Sequence, residues 1–192
     1  ADDILMLYVG RLAAEKNLEM LMDAWRQLPN RQQCRLLFVG DGPLRKKLEA
    51  LADDRVIFAG YRYGEELARM FASSDLFVFP SLTETFGNVV LEAMASGLPA
   101  IGFNVPGPGD IIDDGRNGIL VHQVDPCELT AAMHKLSTRH SERFLMSRMA
   151  RRHAEEQSWE NIMCGLRDSY FKALDQDANN LAGALHPSQT VA

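Results

Sequence analysis

Two glutamates separated by seven residues, Glu84 and Glu92, are the side chains of this sequence best placed to do chemistry. An apolar run just before them, Leu76–Phe79, predicts a short buried strand, and a polar loop leads from it into a predicted helix over 89–96. Free N–H groups at the start of that helix favour an anion such as phosphate. Two carboxylates beside it could accept hydrogen bonds from several hydroxyl groups. A sugar nucleotide carries both phosphate and hydroxyl groups, so it is the kind of ligand that these residues indicate.

The elements that must position these residues alternate regularly along the chain. This alternation predicts an α/β fold, a Rossmann-like, doubly wound parallel sheet of about six strands with helices on both faces. Ligands of such sheets bind beyond the carboxyl ends of the strands. The predicted strands cover residues 4–9, 36–39, 56–59, 76–79, 100–103 and 118–121, and the predicted helices cover 18–28, 44–52, 65–72, 89–96, 128–136, 142–156 and 160–174.

The loop after the first predicted strand carries two cations, Arg11 and Lys16, and begins with Gly10. A glycine allows the backbone to turn sharply off the strand. The two side chains would then project toward the helix that follows Gly87, where an arginine fork and a lysine ammonium can bind a diphosphate. A solvated cationic loop is the alternative interpretation on spacing alone.

Longer motifs surround both pairs. Residues 80–99 have the pattern P-S-x-x-E-x-F-G-x-x-x-L-E-A-M-A-x-G-x-P, and residues 10–17 have the pattern G-R-L-x-x-E-K-N. Both resemble the donor-site motifs of retaining glycosyltransferases of the GT-B fold, especially glycosyltransferase family 4. The resemblance implies that Arg11 and Lys16 hold the diphosphate of a nucleotide sugar. It also implies that Glu84 contacts the sugar and that Glu92 contacts the ribose hydroxyls.

The resemblance extends the donor-binding set beyond the two motif pairs. Gly40-Asp41-Gly42-Pro43 resembles a G-x-G-P turn near the nucleotide, and Tyr61 follows an F-x-G segment that borders the base; a packing role for Tyr61 is the alternative. Asp110 stands where the family often has a glutamate, a departure that bears on sugar recognition. The donor-binding residues implied in this way are Gly10, Gly42, Tyr61, Thr85, Phe86, Gly87, Asn88, Val89 and Glu92, beside the catalytic Arg11, Lys16 and Glu84.

Composition excludes several other classes of function. The net charge of −6 argues against nonspecific nucleic-acid binding. Three scattered cysteines and five scattered histidines show no metal-ligand spacing, so we expect neither a metal nor a cofactor. Scattered cysteines are also typical of reduced thiols, so we expect a cytoplasmic location. The basic run at Arg148, Arg151, Arg152 and His153 favours a solvated helix face, with contact of a longer protein to an acidic membrane as the alternative.

The length of 192 residues suits one well-buried core. We expect a donor-binding domain over 1–174, a disordered tail over 175–192, and an N-terminal acceptor domain outside this chain that receives a lipid, polysaccharide or small-molecule acceptor. The expected reaction is sugar transfer with retention of anomeric configuration. A nucleotide-sugar epimerase or hydrolase of the same fold, a phosphorylase of related fold, and a noncatalytic sugar-nucleotide-binding module remain as alternatives.

Overall fold

The chain forms a six-stranded parallel sheet with the strand order β3-β2-β1-β4-β5-β6. The computed structural model describes residues 3–84 and 87–157 together with Met163 and Arg167. The strands are β1 (Ile4–Val9), β2 (Cys34–Val39), β3 (Val56–Gly60), β4 (Leu76–Phe79), β5 (Ala100–Phe103) and β6 (Gly118–Val121). These near-continuous apolar runs form parallel strands because helices cover the sheet on both faces.

The helices of the described residues fall between the strands or after the last strand. They are α1 (Leu18–Gln27), α2 (Arg45–Leu51), α3 (Gly64–Ala72), α4 (Asn88–Ala95), α5 (Pro108–Ile111), α6 (Pro126–Thr138) and α7 (His140–Glu156), with short 3₁₀ turns at Ala14–Lys16 and Arg31–Gln33. The predicted α/β sheet is therefore confirmed. The short α5 and the two 3₁₀ turns were not predicted.

The apolar stripe of α1 illustrates how the helices cover the sheet. Leu18, Leu21, Met22 and Trp25 recur at helical spacing and are fully buried. On the neighbouring α6, the Thr130 hydroxyl lies 2.7 Å from the Pro126 carbonyl of its own helix and 3.1 Å from the Ala24 carbonyl of α1. The apolar face of one helix and a buried hydroxyl of the next thus fix this layer against the sheet.

The order of the strands reverses between β1 and β4, which lie side by side at the centre of the sheet. From β1 the chain moves outward in one direction to β2 and β3, and from β4 in the other direction to β5 and β6. In doubly wound sheets the crevice at this switch point is where ligands bind. The loops that follow β1 and β4 therefore border the expected site.

The chain divides into a compact unit Ala1–Glu155 and a second segment Glu156–Ala192. The sheet, α1 to α6 and nearly all of α7 belong to the first. The predicted helix over 160–174, the domain limit at 174 and the tail over 175–192 lie outside the continuously described residues. No helix within the described part of the chain has the length and apolar character to cross a membrane.

Candidate functional site

An ion pair between Lys16 and Glu84 joins the two loops that leave the carboxyl ends of β1 and β4. The two residues are 68 positions apart in the sequence, and the sheet brings them together at the switch point. Their side chains are mostly covered, with relative exposures of 19% and 18%. The two predicted motifs therefore meet in one site.

The β1 loop is held by a side chain that the sequence analysis did not select. The Tyr8 hydroxyl donates a hydrogen bond to the Arg11 carbonyl over 3.0 Å. A Cβ atom at Gly10 would lie 2.8 Å from that hydroxyl, so the turn requires glycine there. Burial and the charges of Glu84 and Glu15 raise the pKa of Tyr8, which keeps the phenol protonated as a donor. A tyrosine in an otherwise aliphatic strand, two residues before Gly10, was the available signal.

Arg11 projects from this loop toward solvent, and its side chain is 67% exposed. Its guanidinium lies 3.8 Å from the Glu15 carboxylate, four residues along the chain. An exposed pair at this separation is weak. The guanidinium is therefore free to exchange Glu15 for a ligand anion at small cost.

The loop after β2 packs backbone against backbone on the β1 loop. The Leu12 N–H donates to the Asp41 carbonyl over 2.9 Å, and the Leu44 N–H donates to the Leu12 carbonyl over 2.9 Å. A Cβ atom at Gly40 would overlap the Gly10 carbonyl, and one at Gly42 would overlap the Leu12 carbonyl. Close packing of the two loops accounts for Gly42, and its contact with a ligand stays a prediction.

The β4 loop leads into α4 through Gly87, which has a left-handed φ of +84°. The helix starts at Asn88, one residue earlier than predicted. The first N–H groups of a helix have no intrahelical acceptor, so those of Asn88 and Val89 are available to an anion. Thr85 and Phe86, which were predicted to bind donor, lie outside the described residues.

Glu92 lies in the second turn of α4, and its side chain is exposed. It is the second glutamate of the predicted pair, and unlike that of Glu84 its carboxylate has no hydrogen bond or ion pair within the described part of the chain. Its carboxylate can therefore accept hydrogen bonds from a ligand without losing a partner. The two glutamates therefore differ: Glu84 is paired with Lys16, and the Glu92 carboxylate has no partner among the described residues.

Tyr61 follows β3 at the same edge of the sheet and is 71% exposed. Its ring lies 6.2 Å from that of Tyr63, which is equally open to solvent. A role in packing the core, the alternative considered for Tyr61, does not fit this exposure. Contact with a base stays a prediction.

Asp110 serves a local purpose in the segment after β5. Its carboxylate accepts a hydrogen bond from the Gly107 N–H over 3.0 Å and so caps the short helix α5. Beside it, the Asn104 amide and His122 are in hydrogen-bond contact at 3.2 Å, joining the ends of β5 and β6. This polar pair extends the edge of the site beyond the residues that the motifs indicated.

Metal-ligand clusters are absent from the described residues, where no three acidic, histidine or cysteine side chains converge. The expectation of a site without a metal stays a prediction. What the geometry offers is two cations, a helix N-terminus and two carboxylates around the switch point. This combination suits a ligand that carries both a diphosphate and several hydroxyl groups.

The fold and the site together define a Rossmann-like domain with paired cations and carboxylates around its switch point. A sequence profile described as glycosyl transferases group 1 matches residues 3–139. The match covers more than half of the chain, and the chain belongs to the group 1 glycosyltransferases.

Individual relatives agree with this membership. The chain is 42% identical over 166 residues to a GDP-mannose-dependent alpha-mannosyltransferase of Corynebacterium glutamicum. This match covers 85% of this chain and 38% of the relative. The chain is 35% identical over 173 residues to the sulfoquinovosyl transferase SQD2 of Arabidopsis thaliana, covering 88% of this chain and 33% of the relative. The chain thus spans about a third of the length of these relatives.

A solved structure shows the same fold. The glycosyltransferase WaaG, described as involved in lipopolysaccharide biosynthesis, superposes with a TM-score of 0.74 at 28% identity. The superposition covers 82% of this chain and 44% of WaaG. The predicted fold and family are confirmed by these comparisons.

Proposed function

We propose that this chain binds the nucleotide-sugar donor of a retaining hexosyltransferase. The single observation that carries the proposal is the Lys16–Glu84 ion pair, which joins a cation and a carboxylate at the switch point; in this proposal Lys16 would bind the diphosphate and Glu84 the sugar. Membership of the group 1 glycosyltransferases supports the reaction class. The GDP-mannose dependence of one relative supports a nucleotide sugar as the donor.

The diphosphate would be held by Arg11, Lys16 and the N-terminus of α4. Arg11 is exposed and weakly paired, so it can turn its guanidinium onto a phosphate. Lys16 has three N–H donors and can bind a phosphate oxygen while it keeps Glu84 as a partner. The N–H groups of Asn88 and Val89 would complete the anion site, with Gly10 and Gly87 providing the close approach of the backbone.

The two glutamates would divide the hydroxyl groups of the donor between them. Glu84, which pairs with Lys16, would contact the sugar, and Glu92, in the second turn of α4, would contact the ribose. Tyr61, open to solvent at the same edge of the sheet, offers an aromatic face to the base. Gly42, Thr85 and Phe86 complete the proposed donor-binding set.

During transfer, the bond between the anomeric carbon and the diphosphate oxygen breaks, and the electron pair leaves with the diphosphate. Arg11, Lys16 and the α4 N-terminus would stabilise the negative charge that grows on this leaving group. Such preorganised electrostatic stabilisation is the largest catalytic contribution in many enzymes. These groups need no divalent metal or other cofactor to do so. Glu84 would orient the sugar so that an acceptor hydroxyl attacks the face that the leaving group vacates. The hydroxyl oxygen forms the new bond to the anomeric carbon, and its proton passes to the departing diphosphate oxygen.

The acceptor would be bound by a further domain, since this chain spans 38% of one relative and 33% of another. A lipid, a polysaccharide or a small molecule is compatible with the donor site. A cytoplasmic enzyme with peripheral contact to a membrane completes the proposal.

Calorimetric titration of the chain with UDP, GDP and ADP tests donor binding. We expect one nucleoside diphosphate to bind, with affinity lost in Arg11→Ala and Glu92→Ala and kept in Arg69→Ala, an exposed arginine of α3. Glu84→Gln should keep the affinity for the nucleoside diphosphate and remove the additional affinity that the sugar provides. Equal binding by wild type and all variants would contradict the proposed site.

The stereochemical outcome is tested on a protein that includes the acceptor-binding part. Proton NMR of the first product should show the same anomeric configuration as the donor. Inversion would overturn the proposal of retention. Release of free or epimerised sugar without transfer would favour a hydrolase or an epimerase instead.

A further inference from the structure

A second polar cleft lies at the opposite edge of the sheet from the Lys16–Glu84 pair. It has a volume of about 620 Å³ and runs between the end of α4 and the helix α7. Ser96 and Gly97, which line it, come just before β5 and therefore lie at the amino end of that strand. The proposed donor site does not use this surface.

Three arginines of α7, at positions 148, 151 and 152, line the cleft together with a single carboxylate, that of Glu155. Its lining is therefore cationic in a chain whose net charge is −6. Arg151 is held in place, because it donates to the Glu155 carboxylate over 2.7 Å and to the Ala95 carbonyl at the end of α4. Arg148 is exposed and has no hydrogen bond or ion pair within the described part of the chain.

Two hydroxyl groups face the same cleft, those of Ser96 and Ser147. Neither makes a side-chain hydrogen bond to another described residue. The Ser147 hydroxyl lies close to Gly97, where an added Cβ atom would be 3.4 Å from it. Hydroxyl and guanidinium groups both donate hydrogen bonds to phosphate oxygens, and these two hydroxyls have no other acceptor among the described side chains.

The carboxyl end of a helix normally repels an anion, and α4 ends at this cleft. Here its last carbonyls are already engaged: Arg151 bonds that of Ala95, and the N–H groups of Gly97 and Leu98 bond those of Met94 and Ala93. Arg148 therefore makes no hydrogen bond to the last carbonyls of α4. It remains available to a ligand.

We propose that this cleft binds a phosphate group, with Arg148 as the principal cation, Arg151 and Arg152 as supporting charges, and the Ser96 and Ser147 hydroxyls as hydrogen-bond donors. The phosphate belongs to a small phosphate ester or to a lipid headgroup. Two large apolar side chains on the preceding turn of α7, Phe144 and Leu145, are 56% and 63% exposed and would contact acyl chains in the second case. The site is independent of donor binding.

Residue-resolved NMR of the ¹⁵N-labelled chain, titrated with glycerol phosphate, locates the site directly. We expect saturable shifts of the amides of Ser96, Gly97 and Ser147 that persist when the nucleoside diphosphate saturates the donor site. Arg148→Glu should weaken this binding about tenfold or more, because it removes a charge-assisted contact and adds a repulsive charge. The matched change Arg69→Glu, also at an exposed helical arginine, should leave it unchanged.

Vesicle cosedimentation separates the two sources of phosphate. Binding to phosphatidic acid vesicles, with no binding to phosphatidylcholine and loss in Arg148→Glu, would assign the cleft to a lipid headgroup. Binding of glycerol phosphate without vesicle binding would assign it to a soluble ester. The proposal is overturned if neither binds, if the shifts map only to the donor site, or if Arg69→Glu weakens binding as much as Arg148→Glu.

Discussion

The carboxyl ends and the amino ends of the parallel strands, here the carboxyl edge and the amino edge of the sheet, carry cations in different ways. At the carboxyl edge, Lys16 is four-fifths covered and paired with Glu84 of the β4 loop, and its own β1 loop packs on the β2 loop at glycines. At the amino edge, Arg148 projects from the surface of α7 without a partner among the described residues. The first arrangement is built by tertiary structure and the second by a single helix. A preorganised, partly desolvated charge supports catalysis, whereas an exposed charge supports reversible association.

The largest expected effect is on the loops of the carboxyl edge. Gly40→Ala should lower the free energy of unfolding by about 3 kcal/mol, because its Cβ atom would overlap the Gly10 carbonyl and its φ of +138° disfavours a side chain. Urea denaturation measures the change.

Gly64 provides the matched control for Gly40. It also has a positive φ, +57°, yet an added Cβ atom there meets nothing within 4 Å. Gly64→Ala should cost about 1 kcal/mol, the conformational penalty alone. Similar costs at both positions would show that the close contact of the two loops is not what requires glycine.

The next effect concerns the Lys16–Glu84 pair itself. Lys16→Ala should weaken binding of the nucleoside diphosphate about fiftyfold, since it removes a charge-assisted contact and leaves Glu84 repelling the phosphates. Lys47→Ala removes an exposed lysine that pairs with Glu19 over 2.7 Å, and it should change affinity less than about twofold. Calorimetry compares the two, and equal losses would indicate a general charge effect.

At the amino edge, Arg143 tests how α7 is attached. Its guanidinium is buried, donates to the Leu136 carbonyl over 2.7 Å and lies 4.0 Å from Asp75. Arg143→Ala should cost about 2 kcal/mol of unfolding free energy, because the buried carbonyl loses its partner. Arg139→Ala, at an exposed arginine one turn earlier, should cost less than about 0.5 kcal/mol. A smaller cost for the buried arginine would contradict its anchoring role.

The smallest effect is a difference in reactivity between two cysteines. Burial of Cys34 at the start of β2 raises the pKa of its thiol to about 11 from 9.0, and Cys127 is exposed. Because the folded state favours the protonated thiol, the contribution of Cys34 to the free energy of unfolding is fully present below pH 9. This contribution is lost as the pH rises toward 11. Peptide mapping after iodoacetamide treatment at pH 8.5 should find Cys127 modified and Cys34 intact. Equal modification of the folded chain would contradict this burial.

Much of the fold could be predicted because its strands are apolar runs bounded by polar or glycine residues. The bounds of β1, β4, β5 and β6 were predicted to the residue. The start of β2 was missed because Arg35 interrupts the apolar pattern, although it lies within the strand and pairs with Asp3 over 2.8 Å. The short α5 was missed because its prolines and glycines indicate a turn, and its cap depends on one local contact of Asp110.

The candidate site was predictable in its residue types and less so in their pairing. Spacing indicates that Lys16 and Glu84 each follow a predicted strand, but the ion pair between them depends on the order of the sheet and on two side-chain conformations. The sequence distinguishes Tyr8 as a tyrosine in an otherwise aliphatic strand, but its role depends on the hydroxyl reaching the Arg11 carbonyl, a contact that only the structure shows. The long-range contact between Lys16 and Glu84, 68 positions apart, follows from tertiary structure alone.

The most direct test of the central claim is a crystal structure of the chain with the nucleoside diphosphate that titration selects. The account predicts the diphosphate at the switch point between β1 and β4, within hydrogen-bond distance of Arg11, Lys16 and the first N–H groups of α4, and the ribose hydroxyls on Glu92. A nucleotide bound elsewhere, with the Lys16–Glu84 pair unchanged and no phosphate near Arg11, would contradict it.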